Sequence, residues 1–403
     1  MRRWLLVGGS LAAIAALVLL LKPVRPSRTR EELVLYCAAG LFKPVNEVCA
    51  AYEEQYGVKV QIDPDASGPL LSKIRVAPQH GDLYLAGEES YVREAKSLGL
   101  VREILPVASQ HLVVAVRPDN PKKIAALADL LRTDVKVAIP SPDRAAVGKV
   151  AKRALAAANQ WDAIERQIHD FPAKISTVGT VTEAVQAVKV GTADAAIVWD
   201  ATARQFGVHS VELPAFRDQP PELAAIGVLA RSRHPTAALH FARYLTSRDR
   251  GQPIFQKHHL TPVADADLWE DRPSLVLMSG AMLKPAIDDL VKSFQDREGV
   301  DINTLYDGCG ILVAKMKAIR EKSEKSKQFP DAYFACDVSF MRQVQQWFDA
   351  SQTISRNDMV LAVAKDSQHK YLMRRLLDAI LAPESKKHFL KSGFQWVPKD
   401  PAP

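Results

Sequence analysis

Residues 275–398 repeat residues 33–263 with the middle left out, and this relation restricts the fold more than any other feature of the chain. LVLYCAAGLFKPVNEVCAAYEEQYGVKVQIDPDASGPLL (33–71) and LVLMSGAMLKPAIDDLVKSFQDREGVDINTLYDGCGILV (275–313) both open on LVL, then a small-residue turn and K-P. Each runs on as an amphipathic helical pattern to Gly57 or Gly299 and reaches a D-x-[SC]-G turn, at Asp65–Gly68 or Asp307–Gly310. Three further matches follow in the same order: GDLYLAGEESYV (81–92) with PDAYFACDVSFM (330–341), HLVVAV (111–116) with DMVLAV (358–363), and 244–263 with 380–398. Matches in one order indicate duplication. Copy one carries residues 117–234 between HLVVAV and its tail, and copy two passes almost directly from DMVLAV to its own.

Strand-like and helix-like segments alternate along the chain. LVLYCA, VKVQI, LYLAG, VKVAI and AAIVW read as strands, and 42–56, 69–77, 90–98, 145–158 and 180–190 as helices. In 42–56, Val45, Val48, Cys49 and Tyr52 share one face. Such alternation predicts an α/β fold with largely parallel sheets. The chain is expected to leave a first lobe near Val116, build a second, and return near Leu229; two crossings make a hinge with a cleft between the lobes. The predicted domains are a basic leader at 1–30, a two-lobe module at 31–263 (lobe one 31–116 and 235–263, lobe two 117–234), and a lobe-one repeat at 275–398.

The net charge of +7 does not indicate nucleic-acid binding. Arg2, Arg3, Lys22, Arg25, Arg28 and Arg30 lie in the first 30 residues without an acid, and removing those six leaves 47 basic residues against 46 acidic. The remaining chain has no basic patch of the kind nucleic acid requires. Residues 4–21, WLLVGGSLAAIAALVLLL, carry no charge and as a helix would span roughly 27 Å. They read as a transmembrane signal anchor, with a cleaved signal peptide as the alternative; either places the rest of the chain outside the cytoplasm, on the periplasmic or extracytoplasmic face.

No CxxC, HExxH, GxSxG, GxxxxGK[ST] or GxGxxG occurs, so no common catalytic signature is present and no cofactor or metal is expected. Cys309 and Cys336 suit a disulfide, a soft-metal pair or buried thiols. His258–His259 lack a third ligand and read as loop residues.

In the order of its turns the sequence resembles the molybdate-binding family of periplasmic solute-binding proteins. The shared cues are CAAGL (37–41), Ser67–Gly68, Gly81–Asp82, Pro142 to Gly148, and the run from Val178 to Asp194. The resemblance covers 33–263, and again 275–398 without the second lobe. It implies the type II periplasmic-binding-protein fold and a small anionic ligand in the cleft. Its ligand positions fall on Gly40, where the family has a serine, on Ser67, on backbone amides at Val147 with Gly148 and at Val181, and on Trp199, where the family has a tyrosine. Amides at helix N-termini can hold an oxyanion without a countercharge. An indole N–H donates but cannot accept, so the ligand is left open among molybdate, tungstate, sulfate, phosphate and a small carboxylate. Copy two has Met282 and Cys309 at the first two ligand turns and reads as a degenerate docking or structural lobe.

The function expected from this resemblance is solute binding for an ABC-type transporter, with an ABC permease as partner and no enzymatic activity. The other reading is a membrane-tethered sensor or interaction module that keeps the fold without transport.

Overall fold

The computed structural model describes residues 32–321, 329–349, 352–353 and 359–396. The anchor expected at 4–21 lies outside them. Among the described residues, no helix is long and apolar enough to cross a membrane.

Three mixed sheets organise the chain. Strands β1 (Glu32–Ala38), β2 (Lys59–Asp65), β3 (Leu83–Ala86) and β4 (Val101–Gln110) open the first. Strands β5 (Leu112–Val116), β6 (Val137–Pro140), β7 (Ile175–Val178), β8 (Ala195–Trp199) and β9 (His209–Val211) form the second. Strands β10 (Glu222–Leu229) and β11 (Thr261–Pro262) return to the first, which runs β11-β4-β10-β3-β1-β2. The third runs β13-β12-β14-β16-β15, from β12 (Ser274–Gly280), β13 (Asp301–Asp307), β14 (Ala332–Ala335), β15 (Gln352–Thr353) and β16 (Val360–Val363). Helices cover the sheets. In the helix Phe42–Tyr56 the buried stripe is Val45, Val48, Cys49 and Tyr52, the face its periodicity predicts.

The first and third sheets share one plan. β1 is parallel to β2 and β3, and β3 is antiparallel to β10. β12 is likewise parallel to β13 and β14, and β14 antiparallel to β16. Both first helices end on a glycine in the left-handed region, Gly57 at φ 69° and Gly299 at φ 67°, where a side chain would be strained. One half-buried hydrogen-bond network recurs. Asp82 accepts the Val34 N–H at 3.0 Å and the Ser232 hydroxyl at 2.6 Å, and Ser232 Oγ accepts the His234 N–H at 3.0 Å. Asp331 accepts the Val276 N–H at 2.9 Å and the Ser367 hydroxyl at 2.7 Å, and Ser367 Oγ accepts the His369 N–H at 3.2 Å. Asp331→Ala leaves two donors without an acceptor and should lower stability by about 1–3 kcal/mol. A denaturant midpoint equal to that of the unmutated chain would show that the network contributes nothing.

These pairings move the expected lobe boundaries. HLVVAV is β5 and lies in the second sheet, antiparallel to β8 and β9, rather than in the first lobe. The chain re-enters the first sheet with β10, which ends at Leu229 where the return was expected, so the lobe bound at 234 falls past the crossing. Lobe two therefore spans residues 112–217 rather than 117–234, and DMVLAV takes the place of β10, not of HLVVAV. The physical reason is that only His111 separates β4 from β5, so no loop or turn glycine marks the crossing and the polar run Ser109 to His111 is too short to read as a linker. β4 also carries Pro106 and a register shift opposite Ala224 and Ala225, which blurs its alternation.

The C-terminal module packs against lobe one. The helix Pro235–Thr246 lies on the helix Lys284–Glu298. The Arg297 guanidinium forks onto the Glu103 carboxylate, with Nη2 to Oε2 at 2.9 Å. Asp267 accepts the N–H groups of Tyr371 and Leu372 at 2.8 and 2.9 Å, at the start of the helix Lys370–Leu381.

Candidate functional site

The carboxyl ends of β1, β2, β6, β7 and β8 converge where the first two sheets face each other, the place where open α/β sheets bind ligands. One cavity there is lined by Gly40, Ser67, Val147, Val181 and Trp199 together. Gly40 and Ser67 come from lobe one and the other three from lobe two. The cavity leaves the centre of a water-sized sphere about 20 Å³, room for one small ion and too little for a sugar.

Each residue is set by its element. Gly40 sits in the 3-10 turn Ala39–Leu41 after β1. A Cβ placed on it would lie 2.8 Å from Val181 Cγ1 and 3.6 Å from Thr202 Oγ1, so the missing side chain lets the lobes meet. Ser67 opens the helix Ser67–Val76 and is 2% exposed. The capping position belongs to Ala66, and Ser67 Oγ does not cap the helix. That oxygen accepts the Gly87 N–H at 3.2 Å, which leaves its own proton to donate into the cavity. Its carbonyl accepts the Tyr84 hydroxyl at 2.8 Å, which fixes the turn.

Val147 is the second residue of the helix Ala146–Ala157, and Val181 the first of the helix Val181–Lys189. N–H groups in a helix's first turn have no acceptor within the helix. Three such first turns, with that of Ser67–Val76, border the cavity. Trp199 ends β8, is 2% exposed, and its indole N–H makes no hydrogen bond among the described residues.

Gly148 departs from expectation, because it does not line the cavity. A Cβ on it would lie 2.2 Å from the Pro140 carbonyl oxygen and 2.6 Å from that of Ser141. It therefore lets the helix Ala146–Ala157 seat against the end of β6, and contributes to the site through the placement of Val147. The cavity also includes Thr180, in the turn that precedes Val181, and Gly87, Gln110 and Ala145, which the sequence did not single out. Gln110 closes β4 at the hinge and donates Nε2–H to the Gly87 carbonyl at 2.9 Å. Gly87, Gln110 and Ala145 lie at element ends, where neither periodicity nor motif marks them.

No lining residue is charged. Lys149, just past Gly148, is turned away. Its Nζ donates to Ser90 Oγ at 2.7 Å and stands 4.4 Å from the Tyr91 ring centre. That bond, the Gly68 N–H to the Arg144 carbonyl at 2.8 Å, and the Arg153–Glu222 ion pair join the two lobes.

The matching turns of the C-terminal module are chemically different. Cys309 stands where lobe one has Ser67, Cys336 where it has Gly87, and the two form a disulfide with Cα atoms 6.6 Å apart. Met282 stands where Gly40 does and is 56% exposed. Cys37 and Cys49 are free and buried, and burial pushes the Cys49 thiol up to about 12. Among the described residues no cluster of three or more His, Cys, Asp or Glu could hold a metal. His258 is paired with Glu47 at 2.9 Å rather than free in a loop.

The sequence pattern of the bacterial extracellular solute-binding proteins matches residues 33–261, and the chain belongs to that family. It is 28% identical over 207 residues to a binding protein of Haemophilus influenzae, which covers 51% of this chain and 82% of that protein. Among solved structures it is similar to the periplasmic binding protein AfuA from Actinobacillus pleuropneumoniae, solved with fructose-6-phosphate, with a TM-score of 0.51 and 16% identity over 60% of this chain and 88% of that one. A periplasmic molybdate-binding protein of Azotobacter vinelandii aligns at 18% identity over 57% of this chain and 99% of its own, with a TM-score of 0.48. The AfuA likeness bears on the fold alone.

Proposed function

We propose that this chain is the extracytoplasmic solute-binding protein of an ABC-type transporter and that its first two lobes close on a small oxyanion. The observation that carries the reading is the convergence of Gly40, Ser67, Val147, Val181 and Trp199 on one uncharged cavity bordered by three helix N-termini. Such termini supply N–H donors and a positive dipole end, which suit an anion. Two side chains add donors, the Ser67 hydroxyl and the Trp199 indole. With no lysine or arginine at the cavity, selectivity rests on size and on the number of donors. The cavity favours a molybdate-, sulfate- or phosphate-sized ion over a sugar phosphate.

In this reading residues 275–398 are a degenerate copy of lobe one. They keep its strand plan and its aspartate–serine network, but the closing lobe is absent and a disulfide joins the turns that match Ser67 and Gly87. The module serves as a docking or structural lobe, and transport relies on the first two lobes and a permease.

A thermal-shift screen with molybdate, tungstate, sulfate, phosphate and small carboxylates tests the proposal. A ligand at about 100 times its dissociation constant should add roughly 2.7 kcal/mol to stability. A screen in which no oxyanion raises the unfolding midpoint would overturn it.

A further inference from the structure

A second cavity lies in the joint between lobe one and the C-terminal module, away from the cleft. Its notable residue is Arg243, on the helix Pro235–Thr246. The side chain is 7% exposed, yet Nε, Nη1 and Nη2 are all buried without a hydrogen-bond partner among the described residues. The guanidinium carbon stands 5.9 Å from the centre of the Trp269 ring, which supports its face but satisfies none of its N–H groups.

The other ionisable groups around this cavity are committed. Arg375 is held by Glu298, with N···O distances of 2.8 and 3.0 Å. Asp267 has its two oxygens on the Tyr371 and Leu372 N–H groups. Burial pushes its carboxyl up from the ordinary value, which weakens it as a countercharge. His369 Nε2 faces Glu270 at 3.5 Å. A guanidinium is always charged and offers five donors, and a buried cation without an acceptor is strongly unfavourable. The cavity gives the centre of a water-sized sphere about 20 Å³. Glu298 and Asp267 act on the Arg243 charge through space and Arg375 opposes them, but none of the three hydrogen-bonds to the guanidinium, so its N–H groups still need an acceptor inside the cavity.

We propose that this cavity binds one small monovalent inorganic anion, held by the Arg243 guanidinium, and that the ion helps join lobe one to the C-terminal module. The site differs in kind from the cleft, since it uses a full charge where the cleft uses amides.

The test is thermal unfolding of the purified protein in sodium chloride against sodium gluconate at equal ionic strength. Gluconate is too large to enter the cavity. Chloride should raise the midpoint saturably above that in gluconate, and Arg243→Leu should abolish the difference. Diffraction from crystals of the unmutated protein grown in bromide gives a second readout that needs no variant. An anomalous peak within hydrogen-bond distance of the Arg243 guanidinium is expected. Equal midpoints in the two salts, a chloride effect unchanged in Arg243→Leu, or bromide-grown crystals without a peak at Arg243 would each overturn the proposal.

Discussion

Replacing Glu298 with alanine should destabilise the C-terminal module by about 3–5 kcal/mol, the cost of leaving a buried guanidinium without its carboxylate. Glu298 is 1% exposed and lies at the last turn of the helix Lys284–Glu298. Arg375 projects from the helix Lys370–Leu381, so the pair ties together two helices that cover one side of the third sheet. Burial alone would make such a pair a poor source of net stability, because two charges have left water. Its removal as a pair is therefore expected to cost far less than the loss of one member. The double substitution Glu298→Leu with Arg375→Leu should recover most of the loss. Chemical denaturation of the two variants checks this, and a single substitution that costs under about 1 kcal/mol, the range of exposed pairs, would contradict it.

The second large effect is expected at Gly148. Its absent Cβ would meet two backbone carbonyl oxygens, at 2.2 and 2.6 Å, and backbone cannot swing aside as a side chain end can. Gly148→Ala should cost about 1–3 kcal/mol as an overpacking substitution. It should also weaken ligand binding, because the helix start that carries Ala146 and Val147 must shift. Gly40→Ala offers the contrast. There the clash is with Val181 Cγ1 of the opposite lobe at 2.8 Å, so opening of the cleft relieves it. Its effect should fall on affinity, with the denaturation midpoint of the unliganded protein nearly unchanged. Equal losses of stability in the two variants would show that Gly40 is a turn glycine and not a closure glycine.

Much of the architecture is legible because the pattern of 33–71 recurs at 275–313, so the same order of elements is read twice. The turn Asp65–Gly68 and its counterpart Asp307–Gly310 sit at matching ends of β2 and β13. The two glycines that end the first helices were visible for the same reason. What the sequence did not disclose was the partner of each strand. HLVVAV and DMVLAV look alike, yet one pairs with β8 and the other with β14, and an apolar run of this length does not encode its neighbour.

At the site, Gly40, Ser67, Val147, Val181 and Trp199 line one cavity and Gly148 does not, while Gly87, Gln110 and Ala145 carried no signal of their own. Their presence at the cavity depends on how the lobes close. Gly148 was legible as a turn glycine, but its role against the Pro140 carbonyl needed the helix placed on its strand. The cysteines allowed three outcomes in the sequence. Cys309 and Cys336 are paired because equivalent strand ends are neighbours, while Cys37 and Cys49 are buried in the core of lobe one.

Isothermal titration calorimetry with the oxyanion that the thermal screen selects, run on Ser67→Ala beside the unmutated protein, shows whether the cleft holds the ligand. The hydroxyl accepts from Gly87 and is left to donate to the ligand, so its removal deletes one bond to a charged group, worth about 1.5–3 kcal/mol. The account predicts a dissociation constant roughly ten to a hundred times higher with one-to-one stoichiometry kept. An affinity unchanged by the substitution would contradict it and place the ligand elsewhere.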